Sequence, residues 1–343
     1  MDSDQQDDIP FYEKPEWADV VPIPQDDGPN PLVPIAYTKE YSTTMDYFRA
    51  ISRSQEKSQR ALDLTKIVIE QSPSHYTVWH YRQRLLEALS VDLSKELDWT
   101  QWMIGENPKS YQIWHHRQVV IGRLSAGGAT STSTISYRDL SETQQKTKRE
   151  TVQVELDFIA SALADDAKNY HAWSYRQWVL SYFGKGPWWD EELAYIDNLL
   201  TTDIRNNSAW NQRFYVVTLG PQGLTDEIVQ REVQYTKTKI ERTPNNESPW
   251  VYLSGILNKA KHPLSEVKEF CEGLLEVPRA NFSSFLHSTL LDIYEQEAKV
   301  QKSAEIVNKA KGEAVMLAEK VDTIRSKYWN WRKDQLKDIV VDA

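Results

Sequence analysis

From about residue 40 to residue 335, apolar side chains recur every three to four positions, the spacing of a helix with one buried face. The pattern predicts helices over 40–53, 57–71, 75–89, 94–105, 110–122, 150–165, 169–182, 190–202, 207–219, 227–242, 247–259, 264–275, 282–298, 302–319 and 322–335. No alternating apolar segment bounded by turn residues competes as a strand. Ser72-Pro73 and Asn107-Pro108 read as helix starts, with proline where the missing N–H has no partner to lose. One motif returns along these helices: Tyr76-x-x-Trp79-x-x-Arg82, Tyr111-x-x-Trp114-x-x-Arg117 and Tyr170-x-x-Trp173-x-x-Arg176, each followed by Gln. Weaker copies follow at Asn207-x-x-Trp210-x-x-Arg213 and Glu247-x-x-Trp250-x-x-Leu253. Successive tryptophans stand 35, 59, 37 and 40 residues apart. That period is one helical hairpin per repeat, so the expected fold is all-α, a right-handed α-α superhelix built as a helical-hairpin solenoid.

Positions i, i+3 and i+6 of a helix form one slanting stripe. Trp79, Trp114, Trp173 and Trp210 are therefore expected to wedge between hairpins, and the tyrosines to cap the packing through their hydroxyls. Arg176 and its equivalents are expected to tie a neighbouring carboxylate or helix end. Such a stripe makes a scaffold and supplies no chemistry. The long 59-residue interval holds SAGGATSTSTIS at 125–136, which reads as a flexible surface loop. Removing about 24 residues there would restore the common period. The expected organisation is an acidic, proline-rich tail or strap at 1–35, a single solenoid domain over 36–335 with a low-complexity insertion at about 125–148, and a C-terminal tail at 336–343.

Charge sharpens this picture. The net charge of −10 is concentrated in residues 1–31, which carry nine acidic side chains and Lys14, leaving −2 for the rest. This disfavours nonspecific nucleic-acid binding by the chain as a whole. The first 35 residues also hold 7 of the 15 prolines, with Trp17, Val20, Val21 and Ile23 among them, a mixture suited to an extended strap. Cys271 is the sole cysteine, which excludes an internal disulfide framework and suggests a reducing compartment. No apolar run reaches membrane-span length and the N-terminus lacks a hydrophobic signal core, so a cytoplasmic protein without membrane insertion is expected. Gly-rich phosphate loops and nucleophile elbows are missing, and the seven histidines (75, 80, 115, 116, 171, 262 and 287) have no metal-ligand spacing. No metal site is expected on this chain. Any enzyme to which it belongs is expected to carry its metal and nucleophile chemistry on another polypeptide.

The decapeptides 108–117 (PKSYQIWHHR) and 167–176 (AKNYHAWSYR) resemble the repeat of the protein prenyltransferase α subunits. Further segments resemble the α subunit shared within the CaaX prenyltransferases, farnesyltransferase and type I geranylgeranyltransferase. These are Glu16–Val20, Pro24–Pro31, Asp46–Ala50, Asn206–Arg213, Arg231–Tyr235, Asn246–Trp250, Asp322–Arg325 and Tyr328-Trp329. The resemblance spans about residues 11–331, interrupted near 125–148, with its motifs in the family's order.

The resemblance implies a crescent of hairpins around a β subunit, an α/α barrel that carries the catalytic Zn2+, with Mg2+ accompanying the diphosphate. The resemblance implies no cofactor bound by this chain alone. The implied partners are the β subunits of farnesyltransferase and of type I geranylgeranyltransferase in an obligate heterodimer, an isoprenoid diphosphate, and proteins ending in CaaX. The implied reaction moves a farnesyl or geranylgeranyl group from its diphosphate to the CaaX cysteine thiol. By the same resemblance Lys168 reaches the diphosphate, where a well-placed ammonium is worth about 2–4 kcal/mol in the transition state. Tyr170 lies beside the diphosphate, and Tyr111 lines the pocket for the last CaaX side chain. Gln112 and His171 are candidates for polar contacts to the peptide terminus. Asn206, Trp210 and Arg176 stand near the rim, chiefly as packing residues. Two other readings are the α subunit of the Rab-specific enzyme and a tetratricopeptide-like scaffold with no enzymatic role.

Overall fold

The computed structural model describes residues 10–127 and 136–339. Residues 1–9 of the acidic tail, 128–135 of the low-complexity run and 340–343 of the C-terminal tail lie outside the described residues. All regular structure among the described residues is helical, and the chain divides into two compact units at Phe183/Gly184.

In the first unit α1 (Lys39–Ser54), α2 (Gln59–Gln71), α3 (Tyr76–Ala88), α4 (Leu93–Glu106), α5 (Tyr111–Gly127), α6 (Glu142–Asp165) and α7 (Tyr170–Phe183) follow one another. Consecutive helices pair as hairpins, α2 with α3, α4 with α5 and α6 with α7, while α3, α5 and α7 also touch in sequence. The motif-bearing second helices thus form one row. The second unit holds α8 (Trp188–Thr202), α9 (Asn207–Leu219), α10 (Asp226–Arg242), α11 (Glu247–Ala260), α12 (Lys268–Leu274), α13 (Ser284–Gln301), α14 (Ala304–Met316) and α15 (Ser326–Gln335). Here α8 pairs with α9, α10 with α11, α9 lies against α11, and α13 and α14 form a long hairpin on which α15 packs.

Each motif tryptophan does a job beyond filling space. Its indole Nε1 donates to the carbonyl six residues earlier: Trp79 to Pro73, Trp114 to Pro108, Trp173 to Ala167, Trp210 to Ile204 and Trp250 to Pro244, at 2.8–3.0 Å. The bond fixes the turn that precedes the helix. Pro73 and Pro108 consequently lie in these turns, three residues ahead of Tyr76 and Tyr111, and not in the first helical turn as expected from sequence. The same carbonyls accept a second bond from the residue just before the motif helix of the next repeat within the unit. Ser110 reaches Pro73 O at 3.4 Å, Asn169 reaches Pro108 O at 3.1 Å and Asn246 reaches Ile204 O at 2.9 Å.

The arginines bridge three helices. Arg82 donates to Leu62 O and Thr65 Oγ1 of α2 and, through Nε and Nη2, to both oxygens of Glu96 on α4 at 2.7 and 2.6 Å. Arg117 repeats this with Leu97 O, Thr100 Oγ1 and Glu155 of α6. In the second unit Arg213 holds Glu232 and Asp197. Each guanidinium also lies on the aromatic ring three residues beyond its glutamate: Trp99 at 4.3 Å, Phe158 at 4.2 Å and Tyr235 at 3.6 Å. The glutamates take a further bond from the residue just before the last position of the next motif copy (Arg117, Arg176 and Leu253), namely His116 on Glu96, Tyr175 on Glu155 and Tyr252 on Glu232, at 2.6–2.7 Å. Gln212 serves Glu192 in the same way. Every one of these glutamates is buried. Burial alone would raise the carboxyl of Glu96, but hydrogen bonds from His116 and Arg82 hold it at about 2.

Helix α6 begins at Glu142, eight residues ahead of the sequence expectation. Ser141 and Gln144 form a reciprocal capping box at its start. Its first two turns are mostly exposed and carry no apolar stripe, so hydrophobic spacing gave no signal there. At the N-terminal end, Phe11 and Trp17 pack edge-on against Tyr47 of α1, and Arg60 of α2 clasps Asp19 and the Glu16 carbonyl. Ile23 pairs through its backbone with Asp46 O and Arg49. Beyond it Leu32, Val33 and Ile35 are exposed.

Candidate functional site

The side chains singled out in the first unit gather where α5 and α7 begin. Asn169 sets this arrangement. Its Oδ1 accepts the amides of His171 (2.9 Å) and Ala172 (3.1 Å), capping α7, while its Nδ2 donates to Pro108 O in the turn before α5. The two turns are thereby held side by side, and the ring of Tyr111 meets that of His171 edge-on at 4.2 Å. Tyr170 stands on the other side of His171, 5.6 Å between ring centres. Gln112 is half-buried, its Oε1 3.4 Å from Ser110 Oγ.

Tyr111 and Tyr170 are 65% and 67% exposed, and Tyr76 is 75% exposed, so the motif tyrosines do not cap the packing with their hydroxyls. The tryptophans and arginines satisfy the turns and carboxylates without them, which leaves the phenols facing outward. Lys168 is exposed and its backbone N–H rests on Asp166 Oδ1 at 3.1 Å. Among the described residues no carboxylate lies within ion-pair distance of its ammonium. Lys109 occupies the same place one repeat earlier, two residues before Tyr111, and is exposed as well. Both lysines thus flank the bonded pair of turns, a placement that the resemblance alone did not bring out. His171 is pushed below the ordinary histidine range by burial, so at neutral pH it offers one N–H donor and one acceptor. The site combines two ammonium groups, two phenols and two adjacent helix N-termini, whose dipoles favour an anion.

In the second unit Asn206 is buried and its Oδ1 caps α9 through Ser208 N and Ala209 N. Trp210 is buried between Tyr235 and Tyr252. In the first unit Arg176 is buried and donates to Leu156 O, and Trp79, Trp114 and Trp173 are buried as the stripe requires. Sequence reasoning missed the glutamates. Glu96, Glu155, Glu192 and Glu232 each stand 18 residues before the tryptophan of their repeat and three before an aromatic ring, a signal as regular as the one that was read.

Five segments, 58–89, 93–124, 152–183, 189–219 and 229–260, match the protein prenyltransferase alpha subunit repeat. Over nearly its whole length the chain is 38% identical to the protein farnesyltransferase/geranylgeranyltransferase type-1 subunit alpha of Dictyostelium discoideum, covering 98% of each chain. The chain belongs to the protein prenyltransferase α-subunit family. The α subunit of the same description from Solanum lycopersicum is 41% identical over 96% of this chain and 92% of its own. Among solved structures, a chain of the Candida albicans protein geranylgeranyltransferase-I complexed with GGPP superposes with a TM-score of 0.78 at 30% identity, covering 94% of this chain and 99% of that one. Each matched segment falls on one hairpin and ends within or just after the motif helix. Among the described residues no helix is long and apolar enough to cross a membrane, and among them no group of three or more His, Cys, Asp and Glu side chains could hold a metal ion.

Proposed function

We propose that this chain is the α subunit of a heterodimeric CaaX prenyltransferase, pairing with the β subunits of farnesyltransferase and of type I geranylgeranyltransferase. In this reading the heterodimer moves a farnesyl or geranylgeranyl group from its diphosphate to the thiol of a C-terminal CaaX cysteine in the cytoplasm. The thiol-activating zinc sits on the β subunit, and Mg2+ accompanies the diphosphate. The single observation that carries the reading is the cluster at the starts of α5 and α7 in a chain of this family.

The chemistry asks for groups that stabilise negative charge as the carbon–oxygen bond to the diphosphate breaks. Lys168 supplies a mobile ammonium for the leaving diphosphate, and Tyr170 donates its phenolic hydrogen to a phosphate oxygen. Lys109 is positioned to act with Lys168 from the neighbouring turn. Tyr111 offers an aromatic wall to the last CaaX side chain, while Gln112 and His171 donate to the peptide terminus. Arg176 holds a repeat contact within the first unit, and Asn206 and Trp210 hold the start of α9 within the second.

The test is co-expression with each β subunit and assay of thiol prenylation of CaaX peptides with farnesyl and geranylgeranyl diphosphate. Activity that requires both chains, and that falls at least about tenfold in kcat/KM for Lys168→Ala or Lys109→Ala, is expected from loss of about 1.4 kcal/mol or more. Failure to form a complex with any β subunit would overturn the reading. Full activity in both lysine variants would remove the lysines from the site while leaving the subunit assignment in place.

A further inference from the structure

The hairpin of α12 and α13 lies outside the five matched segments and has Leu290 at the position of the motif arginine, yet it keeps the turn bonds of the repeat with His287 in place of tryptophan. Ser283 caps α13 and donates to Pro244 O at 2.7 Å, the bond that Asn169 and Asn246 make from the equivalent position. Four residues further on, where each earlier copy has tryptophan, stands His287. Its Nε2 bonds the carbonyl six residues back, Asn281 O, at 2.8 Å, as the indoles do. An imidazole has a second ring nitrogen, and here Nδ1 lies 2.5 Å from Glu313 Oε2 on α14. The ring is 4% exposed and the carboxylate 14%.

These partners decide the state of the ring. A backbone carbonyl only accepts, so Nε2 carries a hydrogen. The carboxyl is ordinarily the stronger acid, about 4.3 against about 6.5, so the shared proton belongs to Nδ1 as well. Many of the remaining charged groups on the packed elements are paired elsewhere: on α14 Glu305 binds Lys309. On α13 itself Asp292 and Glu295 bind Arg332, and Glu297 binds Lys268. Glu272 of α12 accepts from Tyr294, and Glu266 in the turn before α12 is paired with His262. Glu319 and Lys320, in the wide turn Leu317–Val321 that follows α14, are exposed.

We propose that His287 is a proton-dependent joint, which ties Asn281 O and Glu313 together while doubly protonated and must release one of them when it loses a proton. A tryptophan in this place would make only the first bond, so the exchange adds a contact from α13 to α14 and makes it conditional. Burial opposes the charge, but the bonds to Glu313 and Asn281 outweigh it and raise the imidazole above its ordinary range. The sign follows: the contact is complete below the ordinary histidine value and is lost as pH rises through the higher folded-state value.

Hydrogen exchange of the full-length chain, bound to its partner subunit where one co-purifies, tests this between about pH 6 and about pH 8.5. After correction for intrinsic exchange, protection of α14 amides relative to α4 amides should fall by about threefold or more on raising the pH, since one unit of pKa shift is a tenfold change. His287→Trp should abolish this dependence, and Glu313→Gln should move it to lower pH. A flat ratio in the natural chain, or an unchanged pH dependence in Glu313→Gln, would overturn the proposal.

Discussion

Replacing Glu155 with leucine tests the logic that links one hairpin to the next. The carboxylate accepts both prongs of Arg117, at 2.8 and 2.7 Å, and the hydroxyl of Tyr175 at 2.6 Å, in a site where all three side chains are buried. Leucine fills much of the space but leaves a guanidinium stranded in the interior. Arg117 keeps only Leu97 O at 3.1 Å and Thr100 Oγ1 at 3.3 Å, with the Phe158 ring beneath it. Breaking one side of a buried pair costs about 3–5 kcal/mol, a large part of the ~5–15 kcal/mol that holds a typical domain. Urea titration followed by both tryptophan fluorescence and far-UV circular dichroism should show the midpoint falling by roughly 1–1.7 M, for an m value of about 3 kcal/mol/M. The double variant Arg117→Met/Glu155→Leu should recover most of the loss, because the stranded charge is gone. A single variant that loses less than about 1 kcal/mol would refute the argument that these pairs lock the hairpins.

Glu96, held at about 2, should contribute acid-dependent stability that is present above its ordinary range near 4.5 and lost as pH falls toward 2. Stability curves measured between those limits should be flatter in Glu96→Gln. Trp114→Phe removes the indole hydrogen bond to Pro108 O while keeping a ring, and thermal unfolding should register a loss of about 1 kcal/mol plus the smaller burial. Deleting residues 128–135 should leave prenylation rates near normal, whereas a deletion extended to 148 removes the capping box and the first turns of α6 and should lower the melting temperature.

Much of the architecture was readable in the chain. The tryptophan spacing and the apolar period placed most helices within a few residues, because a hairpin that buries one face must repeat that face. What escaped was polar. The start of α6 is written in Ser141 and Gln144 rather than in apolar spacing, and the buried glutamates looked like ordinary acidic residues on soluble helices. Their role appears only when Glu155 is seen from Arg117, 38 residues away. The candidate site was readable residue by residue through resemblance, but not its geometry. Nothing in the sequence joined Tyr111 to His171, because the joining bond runs from Asn169 to a backbone carbonyl, and carbonyls leave no trace in a sequence.

The glutamates also give the array a grammar with a beginning and an end. The position 18 residues before Trp79 is Ala61, so the first copy presents no acid to an upstream arginine. The last tryptophan copy has Leu253 where its predecessors have arginine, so it asks for no acid downstream. An extra internal hairpin could be spliced in or out with every charge still answered. Grafting a further hairpin with the full arginine and glutamate pattern onto either end of the motif copies would bury a charge with no reply. The number of motif copies is therefore free to drift in evolution only from the inside, while both boundaries are chemically terminated.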